Sequence, residues 1–339
     1  MPEPDVAAGT GSASGRSADG GPAGSVDVAA GGAPAVVLAP ADAAALGGAA
    51  DVAPALVRRS GRLGVPGKVA IAWLVFVVAA AVLAPVLPLD DPNATEGSLA
   101  RQGPGTDGHL LGGDGLGRDL LSRLVWGARS SLLLGVGAVA IGIVGGGTLG
   151  LLAGYYRRRI GTFLVGLFDT LLSFPALILA LTLVTVFATG EGTSSTRRMV
   201  VLILALGVVS IPLLGRIARA TTLTWSQREF VMAAKAMGQR DRSIMIGEVL
   251  PNVLPAMFSL ALLSIAIVIV AEGGLSVLGV GVMLPTPSWG NIIAEGRSDL
   301  RDAAHIVMFP TIVIFLTVLA LNYLGDVVRA RFDVRESAL

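Results

Sequence analysis

The chain has 339 residues, of which 53% are hydrophobic and 14% are charged, with a formal net charge of +1. Soluble domains carry roughly 25% charged residues, so this composition indicates a membrane protein, and the small net charge offers no basic field for nucleic acid. Cysteine is absent and only His109 and His305 could supply imidazole, so we predict no metal site, no bound cofactor and no soluble-enzyme chemistry.

Residues 1–57 consist almost entirely of Ala, Gly, Ser, Pro, Val and Asp, with no periodic apolar face. This pattern is typical of a disordered segment. It is not a secretory signal, because its basic cluster comes late and the next apolar run is too long. We predict a disordered cytoplasmic tail, residues 1–57, and a transmembrane domain, residues 58–339.

Six apolar runs near the roughly 20-residue length of a membrane-crossing helix follow the tail. The predicted fold is therefore an all-α polytopic membrane protein with six transmembrane helices. Lys and Arg residues near the runs favour one side by about two to one, which places both termini in the cytoplasm. Glycines near the end of the fifth run predict a break before Met283. The predicted spans are residues 69–89, 131–154, 163–189, 199–219, 255–282 and 306–328.

The stretch 109–123 begins as a glycine-rich external loop and continues as an amphipathic helix, in which Asp119 and Arg123 are spaced to pair. Two interpretations stay open, a gate or receptor-contacting element and an interfacial structural helix. Trp289, in the last external loop, is expected to anchor at the membrane boundary. The candidate residues for external gating or receptor contact are Asp114, Gly117, Arg118, Asp119, Arg123 and Trp289.

Small residues recur every fourth position in the second run, at Ala138, Gly142, Gly146, Gly150 and Gly154. They line one face of a helix, so another helix backbone can approach closely there. We expect this face to serve the close contacts of a two-subunit pore. Residues 145–150 match the G-x-G-x-x-G motif, but they do not form a dinucleotide-binding site, because no predicted strand precedes them.

Three ionisable residues fall inside the predicted spans, namely Asp169, Arg216 and Glu272. Intramembrane charges are costly and usually form pairs or line pathways. Asp169 and Arg216 are expected to neutralise each other, and Glu272 is expected to meet Arg297 or Arg301. Structural pairing and lining of a transport route both stay open.

The loop after the fourth span predicts a short helix, residues 227–237. Ser226 and Glu229 have the spacing of a capping box, and Gly238 suits a left-handed stop. Phe230, Ala233, Ala234 and Met237 share one face, which is shaped like a knob for a partner's groove. A helix lying on the lipid surface is the alternative. The candidate docking residues are Glu229, Phe230, Ala233, Ala234, Met237, Gly238, Leu250 and Pro251.

The loop resembles the E-A-A-x-x-x-G-x(9)-I-x-L-P segment of ABC-importer permeases, with Met232 in the place of the acid and Glu248 in the place of Ile. The stretches 109–123, 285–290 and 324–329 resemble those of C-type permease subunits of dipeptide, oligopeptide and nickel importers. The resemblance covers roughly residues 68–335. No phosphate-binding loop occurs, because neither Lys68 nor Lys235 stands in a G-x-x-x-x-G-K-[ST] pattern.

The resemblance implies a type I importer, in which this chain and a second, B-type permease subunit form the translocation path in the cytoplasmic membrane. One or two ABC ATPase subunits would bind ATP and Mg²⁺, and an external binding protein would deliver short peptides. Import of nickel complexes or another small solute is the alternative. Two further classes are an intramembrane serine hydrolase that would use Ser276 and His305, and an ion-coupled transporter, although no internal repeat is evident.

Overall fold

The computed structural model describes residues 64–188 and 194–336, with side chains to Arg331, and all of them belong to one compact unit, Arg59–Leu339. The predicted disordered tail, residues 1–57, lies outside the described residues. The described part is helical, with two isolated β-bridges in the first long loop.

Ten α-helices make up most of the described part of the chain. A π-helix, Met245–Val249, joins the seventh to the eighth, and short 3₁₀ turns occur at Gly97–Leu99 and Arg297–Asp299. The helices are α1 (Val65–Leu83), α2 (Leu120–Tyr155), α3 (Arg159–Ser173), α4 (Ala176–Ala188), α5 (Ser195–Trp225), α6 (Glu229–Ala236), α7 (Asp241–Ile244), α8 (Leu250–Val277), α9 (Trp289–Gly296) and α10 (His305–Glu336).

Five of the described helical segments are long and apolar enough to cross a membrane, and a bent pair gives up to six. The predicted third span, residues 163–189, is bent, because α3 and α4 meet at 86°. Pro175 follows the break, and a proline disfavours helical geometry in the residue before it. Phe174 accordingly has an extended backbone, with φ −84° and ψ 134°.

The remaining spans match their predicted positions with shifted ends. The first helix stops at Leu83, shortly before Pro85 and Pro88, instead of reaching residue 89. The second begins at Leu120, so the amphipathic external helix and the second span form one helix. The fifth ends at Val277, and Gly279 follows with φ +81°, so the predicted break before Met283 is confirmed.

The small-residue face of α2 packs against α5 of the same chain, which corrects the expectation that it serves contacts between subunits. A Cβ added to Gly146 would lie 2.8 Å from the Gly215 nitrogen, and one added to Gly154 would lie 2.8 Å from the Arg219 carbonyl oxygen. Any larger residue therefore meets backbone rather than a movable side chain. This contact makes α2 and α5 the central pair of the bundle.

Buried apolar side chains form clusters along the bundle and at both of its ends. Val231, Ile244 and Met257 belong to the cluster at the end that carries α6, which we call the α6 end. Trp289, Leu120 and Ile292 belong to a cluster at the opposite end, beneath the loops before α2 and after α8. The two predicted functional regions therefore lie at opposite ends of one bundle.

Candidate coupling loop and the network at the opposite end

Helix α6 has an inner face that packs on the bundle and an outer face that is exposed. Val231 is fully buried and Ala234 is nearly so, in the cluster that contains Leu151 and Val253. Phe230 is 38% exposed and Met237 is 74% exposed. The loop is thus fixed by one face and presents apolar side chains on the other.

The prediction that Ala234 shares the outward face is corrected by its burial. Successive residues of an α-helix are rotated by about 100°, so Ala234 shares the inner face with Val231, three positions earlier, and not the face of Ala233. Ala233 is exposed and Ala234 faces the cluster. Leu250 and Pro251 begin α8, where Leu250 packs beside the same cluster and Pro251 is exposed.

The predicted capping box at Ser226 is wrong. Helix α5 runs to Trp225, and Ser226 ends it: its amide donates to Thr222 and its hydroxyl donates to Leu223. The hydroxyl therefore does not cap α6, which begins at Glu229 after Arg228 without a side-chain cap. The left-handed stop at Gly238 is confirmed by its φ of +77°.

Polar contacts fasten the α6 loop to the end of α2. The Tyr155 hydroxyl donates to Asp241 Oδ1 at 2.7 Å, and Lys235 Nζ lies 4.8 Å from the centre of the Tyr155 ring. Arg157 Nη2 donates to the Ser226 hydroxyl at 3.3 Å. These contacts join the segment that contains α6 and α7 to the C-terminal end of α2, the helix at the centre of the bundle.

At the opposite end, four charged side chains join the loop before α2 to α9. Arg118 Nε donates to Asp114 Oδ2 at 2.6 Å, and Arg118 Nη2 lies 3.1 Å from Glu295 Oε1. Arg123 is fully buried and contacts Glu295 Oε2 at 2.7 Å and Asp114 Oδ2 at 3.3 Å. We call these four residues the Arg123 network.

Gly117 makes the turn inside this network. It has φ +77°, and a Cβ there would collide with the Glu96 carbonyl oxygen, so glycine is required. The turn lets the Asp114 carboxylate accept from the amides of Leu116 and Arg118. Asp114 and Arg118 are buried and form ion pairs within the chain, so their charged groups are not presented to an external receptor.

The predicted pair of Asp119 with Arg123 is wrong. Asp119 is the N-cap of α2 and accepts from the Ser122 amide at 2.7 Å, so its side chain turns to the helix start. The pairing rule applies to two residues within a helix, and a cap lies outside it. Arg123 instead binds Glu295, 172 residues later in the chain.

Trp289 does not anchor at a lipid boundary, because it is fully buried. Its indole nitrogen donates to the Leu124 carbonyl and its amide donates to the Ser131 hydroxyl, both at 3.1 Å. Ser288 and Asn291 form a capping box at the start of α9, which sets the ring against α2. Trp289 therefore packs α9 onto α2.

The predicted ion pair between Asp169 and Arg216 is present, at 2.5 Å between Oδ1 and Nη2, and both side chains are half exposed. The predicted partners of Glu272 are wrong. Glu272 is buried and accepts from the hydroxyls of Ser276 at 2.7 Å and Ser288 at 2.9 Å. Arg297 donates to a carbonyl at the end of α8.

The serine hydrolase alternative has no support in the geometry. The Ser276 hydroxyl donates to Glu272, and His305 Nε2 lies 3.3 Å from the Gly113 carbonyl oxygen. Neither side chain is the hydrogen-bond partner of the other, as a nucleophile and its base must be. The two residues belong to separate structural contacts.

The described bundle thus carries a short helix with an exposed apolar face at one end and a loop network of buried ion pairs at the other. The family model described as "Binding-protein-dependent transport system inner membrane component" matches residues 146–337. The chain belongs to this family and is a multi-pass inner-membrane permease subunit, not an enzyme.

Curated relatives span most of the chain. It is 36% identical to "Glutathione transport system permease protein GsiD" of Pectobacterium atrosepticum, covering 73% of this chain and 79% of the relative. It is 35% identical to "Dipeptide transport system permease protein DppC" of Alkalihalophilus pseudofirmus, covering 78% and 86%. It is 38% identical to "Di/tripeptide transport system permease protein DppC" of Pseudomonas aeruginosa, covering 72% and 76%.

The fold is similar to that of a solved chain from "Inward facing conformations of the MetNI methionine ABC transporter". The identity is 20% and the TM-score 0.50, and the match covers 62% of this chain and 97% of the other. The predicted importer permease fold is confirmed by this match and by the family model.

Several residues that complete the sites were not identified from sequence. Glu295 and Asp299 lie far along the chain from Arg123 and Arg101, with which they pair. No local spacing signals such pairs. The fold also brings together Asp90, His109 and Asp119, three residues of metal-ligand type that no local spacing links.

Proposed function

We propose that this chain forms half of the translocation path of an ATP-driven importer of short peptides, in a complex with a B-type permease subunit. Relatives that match most of its length are named for dipeptide, di/tripeptide and glutathione transport, and glutathione is itself a tripeptide derivative. These names favour peptides over the alternative of nickel complexes. ATP and Mg²⁺ are bound by partner ATPases and not by this chain.

The proposal places α6 in a groove of an ABC ATPase subunit. The observation that carries it is the two-faced burial of this helix, with Phe230 and Met237 exposed and Val231 and Ala234 fixed on the bundle. An amphipathic helix that presents apolar anchors is a recurring element of protein docking. Glu229, Ala233 and Gly238 are also exposed and complete the docking surface.

In this mechanism, closure of the ATPases moves α6 and the bundle follows as a rigid body. The contact of Lys235 with the Tyr155 ring, and the cluster that buries Val231 with Leu151, would transmit the displacement to α2. Rigid-body motion of packed helices about an interface is a common switching mode. The bundle would alternate between outward and inward access, with both termini and α6 on the cytoplasmic side.

At the opposite end, we propose that an external binding protein docks on a platform stiffened by the Arg123 network and Trp289. The buried charges hold the loop, and exposed residues such as Leu110 and Leu116 supply the contact surface. Gly117 and the Asp119 cap set the shape of that surface. Glu272, buried among hydroxyls, stabilises the packing of α8 on α9.

A charge on the outer face of α6 is expected to uncouple the ATPases. In Phe230→Asp, docking should weaken by about 2 kcal/mol or more, as for a central interface anchor, which is about thirtyfold in affinity. The measurement is ATP hydrolysis by the reconstituted complex with peptide-loaded binding protein. Phe230→Leu, which keeps an apolar side chain, is the matched control.

The fold should survive Phe230→Asp because the side chain is partly exposed. Hydrolysis and transport at the wild-type rate in this variant would overturn the docking proposal.

The substrate class is tested by comparing the uptake of a labelled dipeptide with the uptake of a nickel complex in vesicles that contain the wild-type complex. Uptake of the nickel complex alone would favour the alternative.

The pair of Asp169 and Arg216 is proposed to line the transport route. About half of the surface of each side chain is left uncovered by the rest of this chain. A charge pair within the membrane requires water or another protein subunit around it. We expect Asp169→Asn and Arg216→Gln each to lower transport per assembled complex at near-normal assembly yield. A reduced yield with unchanged transport per complex would show a structural pair instead.

A further inference from the structure

Three potential metal ligands converge at the end of the bundle opposite α6. They come from the segment after α1, from the long loop and from the start of α2. His109 Nδ1 lies 2.9 Å from Asp119 Oδ1 and 3.8 Å from Asp90 Oδ2, and the three ligand atoms all lie within 4.8 Å of one another.

These separations are close to those of ligands around one small ion. A zinc ion holds imidazole nitrogen and carboxylate oxygen at about 2.0–2.2 Å, so two ligands of a tetrahedron stand roughly 3.3–3.5 Å apart. The distances of 2.9 and 3.8 Å from His109 Nδ1 fall on either side of this spacing. The exposed Asp90 carboxylate would move toward the other two ligands to complete the geometry.

The surrounding structure holds the ligands in place. Asp119 uses Oδ2 to cap the Ser122 amide at 2.7 Å, which leaves Oδ1 directed to His109. The Ser122 hydroxyl donates to the Asp90 carbonyl at 2.6 Å and so fixes that backbone beside the cap. A preorganised ligand set loses little conformational freedom when it binds a metal.

The cluster of Asp90, His109 and Asp119 is open to solvent on the side of Asp90. The side chains of His109 and Asp119 are 13% and 8% exposed, whereas that of Asp90 is 70% exposed. An ion can enter past Asp90, and water can take a fourth position, as in zinc sites with three protein ligands. The imidazole nitrogen selects against Mg²⁺ and Ca²⁺, which prefer oxygen ligands.

We propose that Asp90, His109 and Asp119 form a binding site for a divalent transition-metal ion of the Zn²⁺ type. The ion would fasten the segment after α1 and the long loop to the N-terminus of α2. This site does not depend on which solute is transported, nor on the docking of α6. Without an ion, the same atoms form a hydrogen bond between His109 and Asp119.

The test is equilibrium binding of Zn²⁺ to the purified chain in its complex, after removal of any histidine tag. We expect about one ion per chain, not displaced by excess Mg²⁺. His109→Ala should weaken binding by at least about tenfold. Asp119→Asn should do the same while keeping a good N-cap, and Asp90→Asn should do so without touching the core.

His305→Ala is the matched control, since it removes the second of the two histidines, which lies against Gly113. It should bind Zn²⁺ like the wild type. With Co²⁺ as the probe, visible absorption typical of a low-coordinate site should appear in the wild type and His305→Ala, and not in His109→Ala. No retained Zn²⁺ in the wild type, or equal retention in all variants, would overturn the proposal.

Discussion

The Arg123→Met variant is expected to lose about 3 kcal/mol or more of stability, because it leaves the carboxylates of Asp114 and Glu295 without their fully buried partner. Arg118 still contacts both carboxylates, so the loop should loosen without separating completely from α9. The measurement is thermal unfolding of the purified protein in detergent, together with protease sensitivity of the loop before α2.

Arg129→Met is the control for this substitution. Arg129 lies on the same helix, is exposed and stacks on Trp126 at 5.8 Å, so the same change there should cost little. An unfolding temperature for Arg123→Met equal to that of Arg129→Met would contradict the view that the Arg123 network holds the opposite end together.

Gly150→Leu is expected to separate α2 from α5. A Cβ at this position would collide with the Gly215 carbonyl oxygen and lie 2.6 Å from the Ala218 Cβ, so even the first added atom does not fit. Leucine has a better helix propensity than glycine by up to about 1 kcal/mol, so any loss must come from packing. We expect a loss of about 3 kcal/mol or more and poor recovery of the folded chain.

Gly166→Leu is the matched control, since a Cβ at Gly166 on α3 has nothing within 4 Å. Both variants are measured by yield of monodisperse protein and by thermal unfolding. Recovery of Gly150→Leu at the level of Gly166→Leu would show that the two central helices can move apart at no cost. The rigid coupling assigned to α2 would then lose its basis.

The membrane helices could be predicted from the sequence because lipid imposes one dominant requirement, a long apolar helix. The break between α3 and α4 was missed, although Pro175 signalled it, because hydropathy stays high across the bend. The small-residue face of α2 was correctly identified as a packing surface. Its partner was not, since spacing within one helix carries no information about which helix it meets.

Side-chain partners were predicted well where one helix faced another directly and poorly where loops intervened. Asp169 and Arg216 pair as expected. Asp119, Glu272 and Ser226 have other partners, because Asp119 caps α2, Ser226 ends α5, and Glu272 accepts from Ser288, which caps α9. The cluster of Asp90, His109 and Asp119 depends on the path of the long loop, which no periodicity describes.

The contact between α6 and an ATPase is central to the proposed mechanism, and a single introduced thiol can detect it. The chain has no cysteine, so Met237→Cys provides a unique attachment point on a residue that is 74% exposed. With a thiol-to-amine cross-linker, the assembled complex should give an adduct between this chain and the ATPase. Leu116→Cys, exposed at the opposite end, should give none. An ATPase adduct from Leu116→Cys and not from Met237→Cys would contradict the proposed coupling.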